Sequence, residues 1–202
     1  MRFLSEAEMV RLSECSSLEL RQILAVLIHT GMRKGELQNL KWVDLDFDRG
    51  LIVLTQTKNG KMRYIPMNAV VKQVLLQRRL DKNSEVWVFA GSDGESYNFR
   101  KAFETARMKA GLEDVHIHDL RHTFASHLCM SGADLMTVKE LLGHSSLAMT
   151  ERYSHLTNSH KASAVARLEK LSFDHVTIMS QSGKTEEAKE FEKIVSQINL
   201  EA

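Results

Sequence analysis

The sequence predicts an α+β fold that is mainly helical and contains one small antiparallel sheet of three strands. Apolar residues recur at helical spacing through most of the 202 residues, whereas strand-like patterns are confined to residues 42–65. The only proline, Pro66, lies beside that stretch, so proline interrupts none of the predicted helices. With 43% hydrophobic residues, the chain is long enough to bury one sizeable core.

The chain is predicted to begin with helices. Ser5 and Glu8 have the spacing of a capping box, which opens a first short helix. Residues 18–29 are rich in leucine, isoleucine and valine, and this predicts a buried helix. Gly31 ends that helix, and residues 33–40 predict a short further one.

The predicted sheet follows these helices. Residues 42–47 alternate apolar and acidic side chains, as a half-buried strand does, and residues 51–55 form a second apolar run. Asn59 and Gly60 are a strong hairpin signal that leads into a third strand at residues 62–65. The three strands are therefore expected to form one antiparallel sheet.

The remainder of the compact region is predicted to be helical. Residues 68–80 carry their apolar side chains on one side, and residues 97–110 form a basic amphipathic helix that Gly111 ends. A short apolar stretch at residues 86–90 separates these two helices. Residues 161–171 predict the last helix of this region.

The segment at residues 116–155 carries the most informative chemistry, and it reads HIHDLRHTFASHLCMSGADLMTVKELLGHSSLAMTERYSH. His118 and Arg121 are three residues apart, so they share one face of a helix. His144 follows Gly143, a natural helix stop, at the point where a new helix is expected to begin, and Tyr153 lies nine residues further on. A phenol, two imidazoles and a guanidinium suit an anionic phosphate better than a metal ion.

One spacing in this segment resembles a zinc site. His118 and His122 stand four residues apart, as do the two histidines of zinc-binding helices. The zinc hydrolase pattern requires a glutamate after the first histidine, but this chain has Asp119 there, and Arg121 would place a fixed cation beside the metal. The sequence therefore predicts no metal and no cofactor.

Together with TGMRKGEL at residues 30–37 and TKNGKMRYIPM at residues 57–67, this segment resembles the tyrosine recombinase (phage integrase) family. The resemblance extends over residues 3–171 and includes all four family boxes in the family's order. It implies the catalytic-domain fold of that family. It also implies a site-specific recombinase or integrase that cuts and rejoins DNA through a 3′-phosphotyrosyl intermediate, without ATP or metal.

The resemblance assigns a role to each box. Tyr153 is the expected nucleophile, and Arg33 and Arg121 are the expected clamp on the phosphate oxygens, because a guanidinium stays charged and offers a planar fork of donors. Lys58 is the expected donor of a proton to the leaving 5′-oxygen. Two further cations on the same hairpin are rivals for that role, namely Lys61 and Arg63.

The histidines and one glutamate complete the expected site. His118 is expected to relay a proton to or from Tyr153, and His144 to donate a hydrogen bond to the phosphate. Glu36 is expected to hold Arg33 in place from behind. The remaining histidines of these boxes are interpreted as structural or DNA-facing: His116, His122, His127 and His155.

The expected partner is double-stranded DNA, with self-association into a tetrameric synapse on DNA and a mainly monomeric state when free. Two alternatives are a type IB topoisomerase-like enzyme with the same chemistry and a catalytically silent DNA-binding module of the same fold.

The sequence has no signal-peptide pattern and no apolar run of membrane-spanning length, and Cys15 and Cys129 lack metal-site spacing. A cytoplasmic, bacterial or phage-encoded, nucleoid-associated protein is expected.

Two regions are predicted from charge. Residues 173–202 hold six acids and three lysines, a net charge of −3, which leaves 24 bases and 20 acids, a net charge of +4, in residues 1–172. Residues 1–172 are predicted to be the catalytic domain, and residues 173–202 a tail with an amphipathic docking helix beyond a joint at residues 180–183. The apolar stripe of that helix comprises Phe191, Ile194, Val195 and Ile198. The family's N-terminal core-binding domain is expected to be absent, since the catalytic pattern begins at once with FLSEAEM.

Overall fold

The computed structural model describes residues 2–55 and 62–157, together with residues 165, 166 and 168. The chain divides into two compact units at residues 1–158 and 159–202, and the fold below is that of the first. The predicted tail at residues 173–202 lies outside the described residues, as do Lys58, Lys61 and most of the predicted helix at residues 161–171.

The predicted fold class is confirmed: the described part of the first unit is mostly helical with one three-stranded antiparallel sheet. No helix in this described part has the length and hydropathy to span a membrane. In chain order the helices and strands are α1 (Glu6–Glu14), α2 (Leu18–Thr30), α3 (Lys34–Gln38), β1 (Leu45–Asp46), β2 (Leu51–Leu54), β3 (Arg63–Pro66), α4 (Ala69–Leu80), α5 (Arg100–Lys109), α6 (Ile117–Met130), α7 (Leu135–Leu142) and α8 (Ala148–Glu151).

The sheet has the strand order β1-β2-β3 with both pairs antiparallel. In β3, Arg63 and Ile65 are buried while Tyr64 and Pro66 are exposed, which is the alternation expected of a strand with one covered face. Arg63 therefore points to the same side of the sheet as the core residue Ile65. This alternation directs the Arg63 side chain inward, toward the functional site described below.

The predicted strand at residues 42–47 is wrong in its first half. Trp42–Asp44 form a 3₁₀ turn, and only Leu45–Asp46 pair with β2. The Asp44 carboxylate accepts a hydrogen bond from the Lys41 N–H at 2.9 Å, so a side chain closes the turn in place of strand pairing. Val43 consequently is 88% exposed, whereas Trp42, Leu45 and Phe47 are partly buried against the core.

The predicted helix at residues 97–110 begins three residues later, at Arg100. The N–H of Tyr97 donates to the carbonyl of Phe89 at 2.9 Å, and the Asn98 side chain accepts from the N–H of Arg100 at 3.3 Å. These bonds commit the backbone before Arg100 to a loop. The helix at Ala69–Leu80, capped by Asn68, agrees with the prediction.

Helix α2 lies at the centre of the unit and packs against α4 and α6. Its buried side chains join a large apolar cluster that also includes residues of the sheet, α4 and α5. A second, smaller cluster joins α6 to α7 and to Tyr153, and its buried members are Phe124, Ala125, Cys129, Val138, Leu142 and Tyr153. Because Leu120 of α6 belongs to the large cluster and Phe124 to the small one, α6 connects the two.

Two glycines end helices beside the functional site. Gly31 follows α2 with φ of 62°, and Gly143 follows α7 with φ of 65°, a region that side chains other than glycine rarely adopt. A Cβ atom on Gly143 would lie 2.6 Å from Nη1 of Arg63, and one on Gly31 would collide with the ring of Phe124. Glycine at both positions thus allows the helix ends to meet the side chains of the site.

Candidate active site

Arg121 is a buried guanidinium that bonds to the ends of two helices. It lies on α6 and is 3% exposed. Its Nη1 donates to the carbonyl of Gly31 at 2.7 Å, and its Nη2 donates to the carbonyl of Leu142 at 2.5 Å. Both acceptors lie where helix carbonyls have no partner within their own helix, so the guanidinium satisfies them and they fix its plane.

Arg33 lies just before α3 and is held by Glu36, as the sequence predicted. The Glu36 carboxylate accepts from the Arg33 backbone N–H at 2.8 Å and from its Nη1, also at 2.8 Å. The Arg33 side chain is 31% exposed, so it is open to a ligand. Burial opposes ionisation of Glu36, but Arg63 and Arg33 outweigh that effect and lower its pKa, so the carboxylate stays charged.

Arg63 reaches the same site from the sheet. Its Nη2 lies 2.6 Å from Oε2 of Glu36, and its Nη1 donates to the carbonyl of Leu142. The side chain is 5% exposed and is committed to these two acceptors. Both terminal nitrogens are engaged within the protein, which argues for a supporting role of Arg63 rather than for its rival role as general acid.

The site carries an excess of positive charge. Arg33, Arg63 and Arg121 lie around the carboxylate of Glu36, so three guanidiniums face one carboxylate there. Burial, followed by repulsion from Arg33 and Arg63, lowers the pKa of Arg121 to about 9, which leaves it charged at neutral pH. An anion that binds here is attracted by the charge of all three guanidiniums, and a phosphate matches the fork geometry of the two clamp arginines.

A basic cleft of about 300 Å³ opens beside the two arginines of the predicted clamp. Its polar lining is cationic or imidazole apart from Glu104. The charged and imidazole side chains that line it are Arg33, Lys34, Arg100, Glu104, Arg107, His116, His118 and Arg121. The cleft therefore gives a polyanion access to the clamp.

Tyr153 is in contact with His122, which the sequence interpretation had set aside as structural or DNA-facing. The phenol oxygen lies 2.7 Å from Nδ1 of His122, and the tyrosine is 1% exposed. His118 packs its ring edge-on against His122 with the centroids 4.8 Å apart, and no hydrogen bond joins His118 to Tyr153. His118 is therefore not bonded directly to the phenol, and its expected proton relay with Tyr153 stays a prediction that would have to pass through His122.

The pKa values of the phenol and the imidazole show which of the two groups holds the proton of their hydrogen bond. Burial raises the pKa of Tyr153, although Arg121 and Arg152 partly oppose it, so the phenol holds its proton at neutral pH. Burial and then the neighbouring His118 lower the pKa of His122 to about 4, so His122 is neutral. A neutral imidazole with an unprotonated Nδ1 accepts the hydrogen bond that the phenol donates.

His144 lies in the turn between α7 and α8, and the helix expected to begin there begins at Ala148. Its Nδ1 lies 2.8 Å from the hydroxyl of Thr150, which is fully buried. Burial, together with Arg121 and Arg33, lowers the pKa of His144 to about 4. The ring is neutral, and Thr150 fixes one of its two nitrogens, which leaves Nε2 for a ligand.

The sequence model of the phage integrase family matches residues 2–160 of this chain. The chain belongs to the phage integrase family. It is 38% identical over 148 residues to tyrosine recombinase XerC of Xanthomonas axonopodis pv. citri, an alignment that covers 70% of this chain and 48% of XerC. The chain thus spans about half the length of the curated relatives it matches.

Solved integrase-family structures share this fold. The catalytic domain of bacteriophage HP1 integrase is 30% identical with a TM-score of 0.68, and the match covers 82% of this chain and 94% of that one. XerH site-specific recombinase bound to difH substrate is 26% identical with a TM-score of 0.65, and the match covers 84% of this chain and 55% of XerH.

The integrase fold brings five of the six predicted catalytic side chains into one region. Arg121 and Arg33 both contribute to the lowered pKa of His144, and Arg121 also acts on the pKa values of His118 and Tyr153. The sixth, Lys58, lies outside the described residues. His122 and Arg63 are the two residues that sequence reasoning missed.

A signal for His122 was present in the sequence. Its spacing of four residues from His118 places both rings on one face of α6, and this spacing was considered only as a zinc pattern. For Arg63 the useful signal was its alternation with Ile65 on a strand, which predicts that its side chain is buried.

Proposed function

We propose that this chain is the catalytic part of a site-specific DNA recombinase that cuts and rejoins strands through a 3′-phosphotyrosyl intermediate. The observation that carries this proposal is the bond between the Tyr153 phenol and a neutral His122, close to the charged Arg121 and the basic cleft. Membership in the phage integrase family and the names of the XerC relatives support the same reaction.

In the proposed reaction, Arg33 and Arg121 hold the non-bridging oxygens of a DNA phosphodiester. The Tyr153 oxygen forms a bond to phosphorus while the bond from phosphorus to the 5′-oxygen breaks. The two guanidiniums stabilise the charge that develops on the phosphate oxygens. Because the phosphotyrosyl bond is still a phosphodiester, a 5′-hydroxyl of another strand reverses the step without ATP.

Two proton movements accompany the attack. The phenol proton passes to Nδ1 of His122, which already accepts its hydrogen bond, while the ring of His118 packs edge-on against His122. The leaving 5′-oxygen takes a proton from Lys58, the role that the family resemblance assigns to that residue. His144 donates from Nε2 to the phosphate, which requires Thr150 to donate its hydroxyl proton to Nδ1.

The proposal requires the phenol to become accessible. Tyr153 is 1% exposed, so a phosphate cannot reach its oxygen in the conformation described here. Tyr153 follows α8, a helix of only four residues, beyond the turn that holds His144. We propose that DNA binding moves this segment far enough to expose the phenol oxygen, while Tyr153 keeps its hydrogen bond to His122 and both clamp arginines stay in place.

The test is covalent trapping on a nicked DNA substrate whose short 5′-hydroxyl fragment diffuses away after cleavage. Wild-type protein should form a covalent adduct that denaturing gel electrophoresis detects and peptide mapping assigns to Tyr153. Tyr153→Phe should keep its far-UV circular dichroism and its DNA binding but form no adduct. An adduct that maps to Tyr64 or Tyr97 would refute the assignment, and a wild type that binds DNA without any adduct would indicate a silent binding module.

We also propose double-stranded DNA as the partner, with the free chain mainly monomeric and a tetrameric synapse on DNA, in a bacterial or phage-encoded protein that acts at the nucleoid. XerH, a structural relative, was solved bound to its difH substrate, which supports the choice of DNA. The tail at residues 173–202 is proposed to couple assembly to cutting. Sedimentation of the full chain and of a chain truncated after Ser172, each with DNA, tests that role, and equal assembly and cleavage would refute it.

A further inference from the structure

We infer that Arg63 is a positioning residue that fixes both arginines of the phosphate clamp at once. This inference rests on the proposed function, because it concerns the same site. Arg63 is 6% exposed and cannot touch the DNA, yet each of its terminal nitrogens bonds a group that also holds a clamp arginine. No role was expected for it beyond that of a rival to Lys58.

The first connection runs through Glu36. Its carboxylate accepts from Arg63 Nη2 at 2.6 Å and from Arg33 Nη1 at 2.8 Å, and it also accepts from the Arg33 backbone N–H. Arg63 therefore holds the carboxylate that sets both the backbone and the guanidinium of Arg33. Without Arg63, Glu36 would turn its full charge toward Arg33 and draw that guanidinium away from the ligand.

The second connection runs through the carbonyl of Leu142. Arg63 Nη1 and Arg121 Nη2 both donate to this single oxygen at the end of α7. Gly143 follows without a side chain, which leaves the space that the Arg63 guanidinium occupies. Arg63 thus places the end of α7 against Arg121, and the same end begins the turn that carries His144.

Stability alone does not explain an arginine at this position. Its side chain is 5% exposed, and its Nε has no hydrogen-bond partner among the described residues. A buried donor without a partner is costly, and replacing buried ion pairs by apolar residues of similar volume is often neutral or stabilising. Arg63 bonds two groups that hold the clamp, the Glu36 carboxylate and the Leu142 carbonyl, and an apolar side chain could not reproduce these bonds.

The experiment compares single-turnover adduct formation at saturating DNA for wild type, Arg63→Met and a matched control, Arg78→Met. Arg78 is also largely buried, at 12% side-chain exposure, and bonds the carbonyl of Val88 at 2.8 Å and Gln22 at 2.9 Å, away from the site. Arg63→Met should cleave ~10²-fold more slowly, the typical effect of losing one donor to a developing oxyanion, with little change in DNA affinity. Arg78→Met should be less stable but cleave at the wild-type rate at a temperature where it is folded.

A second substrate separates a clamp defect from general damage. A methylphosphonate at the scissile position lacks one charged oxygen. Its cleavage rate therefore depends less on two correctly placed guanidiniums. The deficit of Arg63→Met should therefore shrink to less than ~10-fold on this substrate, since less charge develops in the transition state. Arg63→Lys should behave like Arg63→Met, because one ammonium does not span both acceptors, and it provides the comparison if the methionine variant does not fold.

The outcomes distinguish this inference from the proposed function. A wild type that forms no adduct refutes the proposed function and, with it, this role for Arg63. A wild type that cleaves while Arg63→Met cleaves within ~3-fold of it refutes only the inference. An equal deficit on both substrates also refutes it, because the loss would then not pass through the clamp.

Discussion

The Nδ1 atom of His122 and the phenol oxygen of Tyr153 lie 2.7 Å apart although the two residues are separated by 31 positions in the chain. One belongs to α6 and the other follows α8, so this bond joins the helix that carries Arg121 to the segment that carries the proposed nucleophile. His118, three residues before Arg121, contacts the ring of His122 and not the phenol. The proposed proton acceptor is therefore His122.

His122→Phe tests this assignment while keeping an aromatic ring against His118. We expect adduct formation to slow by ~10² or more, the usual contribution of a general base, and to recover in part as the pH is raised toward ionisation of the phenol. His118→Phe should cost less. Both rates are measured in single turnovers on nicked DNA at neutral pH, and a larger loss in His118→Phe would make His118 the acceptor.

The hydroxyl of Thr150 is expected to set the tautomer of His144. Thr150→Val has nearly the same shape but lacks the hydroxyl 2.8 Å from Nδ1, so Nδ1 is left without its partner and the ring loses its fixed orientation. Cleavage should slow by ~10-fold, the effect of ~1.4 kcal/mol in the transition state. Thr150→Ser restores the hydroxyl and should recover the rate, whereas equal rates for valine and threonine would contradict this role.

The clamp is expected to act through fixed charge. Arg33→Ala and Arg121→Ala should each lower the cleavage rate by ~10² to 10³, because each removes a donor to the developing oxyanion. EDTA should leave the wild-type rate unchanged. Recovery of either variant on addition of magnesium or zinc would show that a metal ion can supply the charge, and this would overturn the proposed chemistry.

Much of the fold was predictable because its signals are local. The capping box at Ser5 and Glu8 and the glycine after α2 act within a few residues, and the structure confirms both. The strand expected at residues 42–47 failed for an equally local reason, since Asp44 caps a turn that the alternation of apolar and acidic residues conceals. The alternation favours a strand there, but the hydrogen bond from the Lys41 N–H to the Asp44 carboxylate stabilises a turn instead.

The candidate site was predictable only where a box holds its residues on one element. His118 and Arg121 share α6, so their relation follows from spacing. Arg63 bonds Glu36 across 27 positions and Leu142 across 79, and no periodicity along the chain specifies such a meeting. Contacts of this kind depend on how the sheet packs against α7, which is a tertiary property.

The buried histidines of the site should make stability fall as the solution becomes acidic. The pKa values of His122 and His144 are about 4, and burial also lowers the pKa values of His29 and His118, whereas an unfolded histidine has a pKa of about 6.5. Between these values the unfolded chain binds more protons than the folded chain. The free energy of unfolding therefore rises with pH in this window. The stability that these neutral histidines contribute decreases progressively as the pH falls from 6.5 toward 4.

Thermal unfolding followed by circular dichroism at pH 7 and pH 5 measures this dependence above the range in which most carboxylates take up protons. The wild type should melt at a lower temperature at pH 5, and His122→Phe and His144→Gln should each reduce the difference, because each removes one group that is neutral only when folded. His155→Gln, at an exposed position, is the control and should keep the wild-type difference. A wild type that is equally stable at both pH values would show that these imidazoles are more open to water than their contacts with Tyr153 and Thr150 imply.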